Sequence, residues 1–207
     1  MEPVASRGAA AVKVFLGGGF GAGKTTAVGA VTEVMPLVTE ALMTVMSVGV
    51  DDTRFLPDKT TTTALLDFGR VTLAEDLVVY LFSAGGQPRK WPLWFDLARG
   101  SAGAVALVDT RRLEDAFAAV DFFEGAGVPF VVAVNCFDGV QHHTTDEVRT
   151  ALNLSPGIPV VACDARSRAS VLDVLIRLLE HALRKVPGQR AASTQGATAS
   201  AVTGHAR

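Results

Sequence analysis

A glycine-rich segment directly behind a short apolar run constrains the fold of this chain more than any other feature. Residues 17–26 read GGGFGAGKTT, and the five residues before them read VKVFL. The segment 18–25 matches the pattern G-x-x-x-x-G-K-[ST] at every position. Between a strand and a helix, such a loop turns its backbone amides around phosphate oxygens, and the helix dipole adds positive charge. We therefore predict a phosphate-binding loop, with a glycine-rich turn that carries a surface lysine as the alternative.

The loop pattern assigns roles to its polar residues. We expect Lys24 to reach the β- and γ-phosphates of a nucleotide and Thr25 to hold Mg²⁺ through its hydroxyl group. Phe20 puts a large ring at the position that faces the γ-phosphate, where it would obstruct a partner's arginine or pack on a neighbouring loop. We therefore expect slow hydrolysis. The residues expected to contact the nucleotide here are Gly19, Phe20, Gly21, Ala22, Gly23, Lys24, Thr25 and Thr26.

Strands and helices alternate along most of the chain, which predicts an α/β fold. Continuous apolar runs such as 103–108 are typical of strands buried on both faces of a parallel sheet. We expect a mostly parallel six-stranded sheet with helices on both faces, and one antiparallel edge strand because two strands follow each other at 64–82. The predicted strands are 11–16, 64–68, 77–82, 103–108, 130–134 and 160–162, the turn within the neighbouring pair is 69–76, and the helices are 24–35, 113–123, 144–152 and 171–182.

The two ends of the chain differ in composition from its middle. We expect residues 1–10 to be a flexible N-terminus. Residues 187–207 are rich in Ala, Ser, Thr, Gly and Gln without a periodic apolar face, which predicts a disordered tail. A single domain is predicted over 11–186. Within it, the stretch 37–62 is long for a connection between a helix and a strand, and loops of that length are usually functional.

Charge and cysteine content argue against several classes of protein. The formal net charge is −2, whereas a nucleic-acid-binding domain is normally strongly basic. Two cysteines far apart in sequence imply no disulfide framework, which favours a cytoplasmic protein. No apolar stretch approaches the ~18 residues that span a bilayer. We therefore expect no direct membrane insertion, and membrane contact only through a partner.

Polar residues follow two of the later strands, on the side of the sheet where ligands bind in such folds. The segment NCFD, from Asn135 to Asp138, follows the strand 130–134 and fits N-x-x-D. The Asp138 carboxylate would accept two hydrogen bonds from guanine, whose N1–H and amino group form a donor pair that adenine lacks. Asp164 and Ala165 follow the next strand, where their backbone would cover the purine O6. Two polar strand-to-helix turns are the alternative.

The order of these motifs resembles that of Ras-like small GTPases over residues 12–186. The phosphate-binding loop comes first, then a threonine, a glycine–glutamine pair, N-x-x-D and a short loop with an alanine. The chain is also similar to a narrower group, the GTP-binding proteins encoded in actinomycete conservon operons, which are relatives of the bacterial gliding-motility GTPases. The stretches that carry this second resemblance are VDDT at 50–53, KTTTT at 59–63, DFGR at 67–70, LVDTRR at 107–112 and VNCFD at 134–138.

The resemblance implies a P-loop NTPase G domain that binds GTP or GDP with Mg²⁺ and hydrolyses GTP. It implies that Thr63 meets Mg²⁺ and the γ-phosphate, with Thr62 as the fallback. It further implies that Gly86 donates its amide to the γ-phosphate and that Gln87 orients the attacking water. The residues that the resemblance assigns to catalysis are Lys24, Thr63 and Gln87, and those that it assigns to the metal are Thr25 and Thr63.

The resemblance also implies a signalling complex. Conservon operons encode a sensor-kinase-like membrane protein, a roadblock-fold protein and a small protein of unknown function beside the GTP-binding protein. We therefore expect such partners, a cytoplasmic location that becomes peripheral at the membrane through them, and switch segments at 50–63 and 83–95. Arg54 and Arg89 lie in these segments and are candidates to assist hydrolysis, with ordinary surface arginines as the alternative.

Two positions depart from the small-GTPase pattern. Ser83 stands where relatives have an aspartate that supports Mg²⁺ through water, and serine cannot supply that charge. We expect weaker Mg²⁺ binding, or help from Asp51 or Asp52. Cys136 replaces the lysine of N-K-x-D, which should cost nucleotide affinity. The alternatives to a hydrolysing switch are a nucleotide-bound scaffold without hydrolysis and a P-loop ATPase or kinase.

Four further features have plain structural interpretations. We expect the histidine pair at 142–143 to lie in a solvated loop rather than at a metal. The aromatic residues at 91–95 are expected to form mainly helix core, and the segment 109–112 to carry solvated charge. Cys136 and Cys163 are expected to be inert small side chains rather than a redox pair.

Overall fold

The computed structural model describes residues 9–35, 66–84 and 91–185, which form one sheet of six strands with helices around it. The strands are β1 (Ala10–Gly18), β2 (Leu66–Ala74), β3 (Leu77–Ala84), β4 (Gly103–Val108), β5 (Phe130–Asn135) and β6 (Val160–Cys163). The helices are α1 (Lys24–Val31), α2 (Trp91–Ala98), α3 (Phe117–Gly125), α4 (Thr145–Ala151) and α5 (Arg168–Lys185).

The sheet is mostly parallel, as predicted. Its strand order is β2-β3-β1-β4-β5-β6, and β2 with β3 is the antiparallel pair. The other four neighbouring pairs are parallel. Parallel strands place their carboxyl ends at the same edge, so the loops after β1, β4, β5 and β6 meet there.

Apolar cores cover both faces of the sheet, because side chains along a strand alternate between its faces. In β1, Phe15 belongs to one core, whereas Val14 and Leu16 belong to the other. The first core is closed by α2, α3 and α4, and the second by α1 and α5. Strands β4 and β5 are buried along their whole length. The prediction of helices on both faces is confirmed.

The β2–β3 hairpin is longer than the sequence predicts. The turn predicted at 69–76 is confined to 75–76, because β2 continues as far as Ala74. Gly69 lies inside β2, where a Cβ atom would come within 2.8 Å of the Val28 side chain on α1. The glycine therefore allows the strand to pack closely on the helix, and it does not mark a turn.

Helix α1 ends at Val31, earlier than predicted, because polar groups just beyond it bind the edge strand. Thr32 is extended, with a ψ of 139°, and its hydroxyl accepts a hydrogen bond from the Arg70 amide at 3.2 Å. The Glu33 carboxylate accepts hydrogen bonds from the amide and the hydroxyl of Thr72, at 3.0 and 2.9 Å. These bonds lower the pKa of Glu33.

The segment after β4 contains two short helices in place of the single helix predicted at 113–123. Thr110–Ala116 is a 3-10 helix with a non-helical kink at Arg112, and α3 begins directly after it. The predicted capping box before α4 is confirmed, because the Thr144 hydroxyl and the Glu147 carboxylate each accept a hydrogen bond from the other residue's amide.

An aromatic cluster fills the core between β1, α2 and α3. The Phe15 ring lies edge-on to Trp94 and to Phe123, with centroid distances of 5.3 and 5.4 Å. Trp94 is 1% exposed, as the core interpretation predicts, whereas Phe95 is 57% exposed. The cluster anchors the strand that leads into the glycine-rich loop.

We predict that Phe123→Ala lowers the free energy of unfolding by about 3–5 kcal/mol, because it removes a fully buried ring and leaves a cavity. Urea denaturation with linear extrapolation measures the loss. Phe117→Ala is the matched control, since that ring at the start of α3 is 40% exposed. Equal losses for the two variants would contradict the assignment of Phe123 to the core.

Candidate functional site

The glycine-rich loop folds around the amino group of Lys24. The Nζ atom donates hydrogen bonds to the carbonyl oxygens of Gly18 and Gly19, at 3.0 and 2.7 Å. The lysine is 8% exposed. Gly18, Gly21 and Gly23 have positive φ angles, which bend the chain between β1 and α1. The strand, loop and helix therefore have the layout that the sequence pattern predicts.

Gly23 lies where this loop meets the polar residues after β5. Its φ angle is 103°, and a Cβ atom here would lie 2.6 Å from Asn135 Nδ2. The backbone conformation and the close contact both require glycine. Ala22 beside it is buried, whereas Phe20 is 77% exposed. The Phe20 ring therefore projects from the loop into solvent.

A carboxylate from the edge strand reaches the loop, although the sequence predicts no role for it. Asp67 Oδ2 accepts a hydrogen bond from Thr25 Oγ1 at 2.8 Å and another from Ser83 Oγ at 2.6 Å. Asp67 and Ser83 are direct partners in the β2–β3 register. An acidic residue among apolar neighbours was the available signal, but sequence alone does not give the strand pairing.

A pocket of ≈ 110 Å³ lies beside the loop and brings together predicted residues from three parts of the chain. The predicted residues that line it are Gly23, Thr26, Asn135, Asp164 and Ala165. Phe137 and Arg166 also line it and were not predicted as site residues. The residues predicted for the phosphate end and those predicted for the base end thus adjoin one pocket.

Asn135 joins the two sides of this pocket. Its Nδ2 atom donates a hydrogen bond to the Ala22 carbonyl at 3.0 Å, and its Oδ1 atom accepts one from the Ala165 amide at 3.1 Å. The side chain is 6% exposed. The Ala165 amide, which was expected to face a purine oxygen, is therefore bound to Asn135.

Asp138 lies at the rim of the pocket rather than in its wall. Its side chain is 88% exposed and forms an ion pair with Arg166 at 3.1 Å. Arg166 also pairs with Asp164 at 3.0 Å. The hydrogen bonds from the Arg166 side chain and amide lower the pKa of Asp164. An arginine between two carboxylates therefore borders the pocket.

Phe137 is packed against a second arginine. The Arg111 guanidinium carbon lies 3.6 Å from the centre of the Phe137 ring. Asp109 holds this arginine through hydrogen bonds of 2.9 Å to Nε and 2.8 Å to Nη2. The Arg111 side chain lowers the pKa of Asp109, which is 8% exposed. The expectation of solvated charge at 109–112 is wrong for Asp109, because its carboxylate also accepts a hydrogen bond from the Arg111 amide and so caps the 3-10 helix.

The two cysteines are free and buried. The Cys136 amide donates a hydrogen bond to the Cys163 carbonyl at 2.6 Å, which places the two residues on neighbouring strand ends. Burial raises the pKa of the Cys163 thiol to about 11. A thiol in this state is a poor nucleophile, which agrees with the expectation of an inert side chain.

Several residues with predicted roles lie outside the described part of the chain. They are Asp51, Asp52, Arg54, Thr62, Thr63, Gly86, Gln87 and Arg89. Their roles at the γ-phosphate and at the metal stay predictions.

The described residues fit a Mg²⁺ ion that is held mainly by nucleotide phosphates. They contain no group of three or more His, Cys, Asp or Glu side chains placed for a metal. In phosphate-binding sites Mg²⁺ usually takes one or two protein ligands and completes its shell with phosphates and water. Thr25 at the start of α1 is exposed, and its hydroxyl is hydrogen-bonded to Asp67, so its oxygen is suited to be such a protein ligand.

Two further expectations concern regions away from the pocket. His142 and His143 are both exposed, as predicted for a solvated loop. Among the helices in 9–35, 66–84 and 91–185, none has the length and apolar character required to cross a bilayer.

Residues 16–185 match a protein family described as conserved hypothetical ATP binding protein. The chain belongs to this family. No curated protein sequence matches it. The span shared with the conserved hypothetical ATP binding proteins starts in β1 and ends with α5, so it includes the loop, Asp67 and the pocket.

The fold of this family member is similar to solved G domains. The G domain of the T. maritima FeoB iron transporter matches it with a TM-score of 0.58 at 16% identity, over 84% of this chain and 99% of that one. The apo cytosolic domain of that transporter matches with a TM-score of 0.59 at 17% identity, over 84% of this chain and 64% of that one. A GDP form of the same cytosolic domain matches with a TM-score of 0.60 at 16% identity, over 86% of this chain and 65% of that one.

The chain thus spans about two thirds of the FeoB cytosolic domain. At these identities the likeness shows the fold alone. Family and fold together make the chain a nucleotide-binding P-loop domain with the fold of a G domain. The narrower resemblance to conservon GTP-binding proteins is not part of what these matches show.

We predict that Asn135→Ala lowers the free energy of unfolding by about 1–3 kcal/mol, because the Ala22 carbonyl and the Ala165 amide lose a buried partner. Thermal and urea denaturation measure the change. Gln141→Ala is the control, since Gln141 also donates to a backbone carbonyl, that of His143 at 3.0 Å, but on the exposed surface. The control should change stability by less than about 0.5 kcal/mol. Equal effects would contradict a bridging role for Asn135.

Proposed function

We propose that this protein is a GTP-binding molecular switch that hydrolyses GTP to GDP slowly. The observation that carries the proposal is the Asn135 bridge, which joins the phosphate-binding loop to the pocket after β5 and β6. An N-x-x-D segment at that point would place a carboxylate beside the purine base. A phosphate-binding loop combined with a base-reading segment supports a guanine nucleotide as the ligand.

The ion pair between Asp138 and Arg166 does not oppose guanine binding. An exposed ion pair of this kind contributes little, because water screens the two charges. A hydrogen bond to a charged carboxylate contributes about 1.5–3 kcal/mol, and guanine offers two of them. Asp138 would therefore exchange the arginine for the base at a net gain, and the Arg166 stem would remain as part of the pocket wall.

Hydrolysis in this proposal depends on positioning and electrostatics rather than on covalent chemistry. Mg²⁺, when bound, neutralises negative charge on the phosphates. Lys24 would bind the β- and γ-phosphates, and Thr25 would contribute its hydroxyl to the metal. Thr63 and Gly86 would contact the γ-phosphate, and Gln87 would orient the attacking water.

The switch would signal through the segments 50–63 and 83–95 to partner proteins. From the resemblance to conservon GTP-binding proteins we propose a roadblock-fold protein and a sensor-kinase-like membrane protein as partners. The protein would then be cytoplasmic and peripheral at the membrane through these partners.

A second candidate is a P-loop ATPase, and the description of the matched family favours it because it names ATP. In that case Asp138 would have no role in reading the base, since adenine lacks the paired donors. A nucleotide-bound scaffold without hydrolysis is a further alternative. It would release no phosphate in the presence of excess GTP, which distinguishes it from the switch.

We predict that calorimetry on the full chain gives tighter binding of GDP and GTP than of ATP by more than about tenfold, since a carboxylate hydrogen bond contributes about 1.5–3 kcal/mol. Asp138→Ala should abolish this preference. Asp121→Ala, which removes an exposed aspartate on α3, should keep it. ATP binding as tight as GTP binding in the native chain would contradict the proposal and favour the ATPase.

We predict that Phe20→Ala raises the rate of phosphate release from GTP several-fold, because it removes a ring from the loop position that faces the γ-phosphate. Release under excess GTP and Mg²⁺ measures the rate. Phe117→Ala, a substitution of another exposed phenylalanine, should leave it unchanged. If Phe20→Ala has the native rate, the ring does not limit hydrolysis.

A further inference from the structure

We propose that Asp67 supplies the carboxylate of the Mg²⁺ site that Ser83 cannot supply. The inference rests on the proposed function, since it concerns the metal that accompanies the nucleotide. In the small-GTPase pattern an aspartate stands at the carboxyl end of the strand next to β1, and this chain has Ser83 there, near the end of β3. The structure brings a carboxylate to the same place from the next strand outward, β2.

The hydrogen bond to Thr25 gives Asp67 its function. Thr25 Oγ1 donates its only hydroxyl hydrogen to Asp67 Oδ2 at 2.8 Å. The lone pairs of the threonine oxygen then stay available for a cation on the side away from Asp67. Asp67 is thus a positioning residue, which orients the metal-binding hydroxyl and places a negative charge behind it.

Ser83 keeps the carboxylate in place. Its hydroxyl donates to the same oxygen, Asp67 Oδ2, at 2.6 Å, and Ser83 is 1% exposed. The two residues are direct partners in the β2–β3 register, so their side chains emerge on the same face. The serine therefore holds Asp67 in place, and the carboxylate lies on β2 rather than at the Ser83 position on β3, where the small-GTPase pattern has it.

This arrangement changes the expectation drawn from the sequence. A serine at position 83 predicts weak Mg²⁺ binding or help from Asp51 or Asp52. With Asp67 bonded to Thr25, the described residues already contain one carboxylate next to the metal-binding hydroxyl. The site therefore does not need Asp51 or Asp52 as its source of negative charge.

The first test compares GDP binding in EDTA and in excess Mg²⁺ by calorimetry, on the full chain. The native protein should bind GDP more tightly with Mg²⁺. Asp67→Asn keeps the shape of the side chain and removes its charge. The increase in GDP affinity that Mg²⁺ causes should therefore fall by about 10–100-fold, as is typical for residues behind metal ligands. Affinity in EDTA should be unchanged, which a purely structural role of Asp67 would not produce.

Asp76→Asn is the matched control, since Asp76 is an exposed aspartate in the turn at the other end of the same hairpin. It should retain the full Mg²⁺-dependent gain. Ser83→Ala removes one of the two donors to Asp67 and should lose part of the gain. It also keeps the test valid if Asp67→Asn fails to fold, which thermal denaturation reveals.

A strand exchange gives the sharpest test. The double variant Asp67→Ser with Ser83→Asp moves the carboxylate to the small-GTPase position and keeps one charge and one hydroxyl. It should regain most of the Mg²⁺-dependent gain that Asp67→Asn loses. A double variant that binds Mg²⁺ as weakly as Asp67→Asn would overturn the claim that Asp67 replaces the carboxylate missing at position 83.

The outcomes separate this inference from the proposed function. If the native protein binds GDP with a gain from Mg²⁺ and Asp67→Asn keeps all of it, Asp67 is not part of the metal site and the switch proposal stands. If the native protein binds no guanine nucleotide, the proposed function fails first. Mn²⁺ titration of the GDP complex, followed by electron paramagnetic resonance, reports metal affinity directly and should show the same order of variants.

Discussion

The side-chain amide of Asn135 fixes the relative positions of loops that leave the sheet from different strands. It binds the phosphate-binding loop after β1 through the Ala22 carbonyl and the loop after β6 through the Ala165 amide. β1 and β5 are separated by β4, so this one side chain spans the middle of the sheet edge. A buried amide left unpaired costs about 1–3 kcal/mol. The phosphate end and the base end of the site are therefore set at a defined spacing by the protein itself.

Much of the fold follows from local sequence patterns. The apolar run at 103–108 predicts the bounds of β4 correctly. A strand that is buried on both faces is apolar at every position, so the apolar run begins and ends with the strand. The loop pattern locates the start of α1 at Lys24, and the capping box locates α4. The pocket residues after β5 and β6 were also predictable, because parallel strands bring their carboxyl ends to one edge.

The features that the sequence patterns predict wrongly or miss depend on contacts between segments that are distant in sequence. Gly69 looks like a turn residue, but it lies in a strand because Val28 of α1 packs against it. Asp67 meets Thr25 of α1 and Ser83 of β3 only in the folded sheet, and the register of a hairpin depends on where its turn falls. Such information is absent from periodicity and spacing.

Hydrogen bonds join helix α1 and the residues just beyond it to the edge strand at both ends of the helix. Thr25 in its first turn binds Asp67, and Glu33 just beyond its last turn binds Thr72 on the same strand. A slide of β2 by one residue would turn every side chain to the opposite face and would break both fastenings together. The two contacts on α1 and just beyond it therefore fix the position of β2 along the helix. The register of the outermost strand is therefore tied at two points to the helix that follows the phosphate-binding loop.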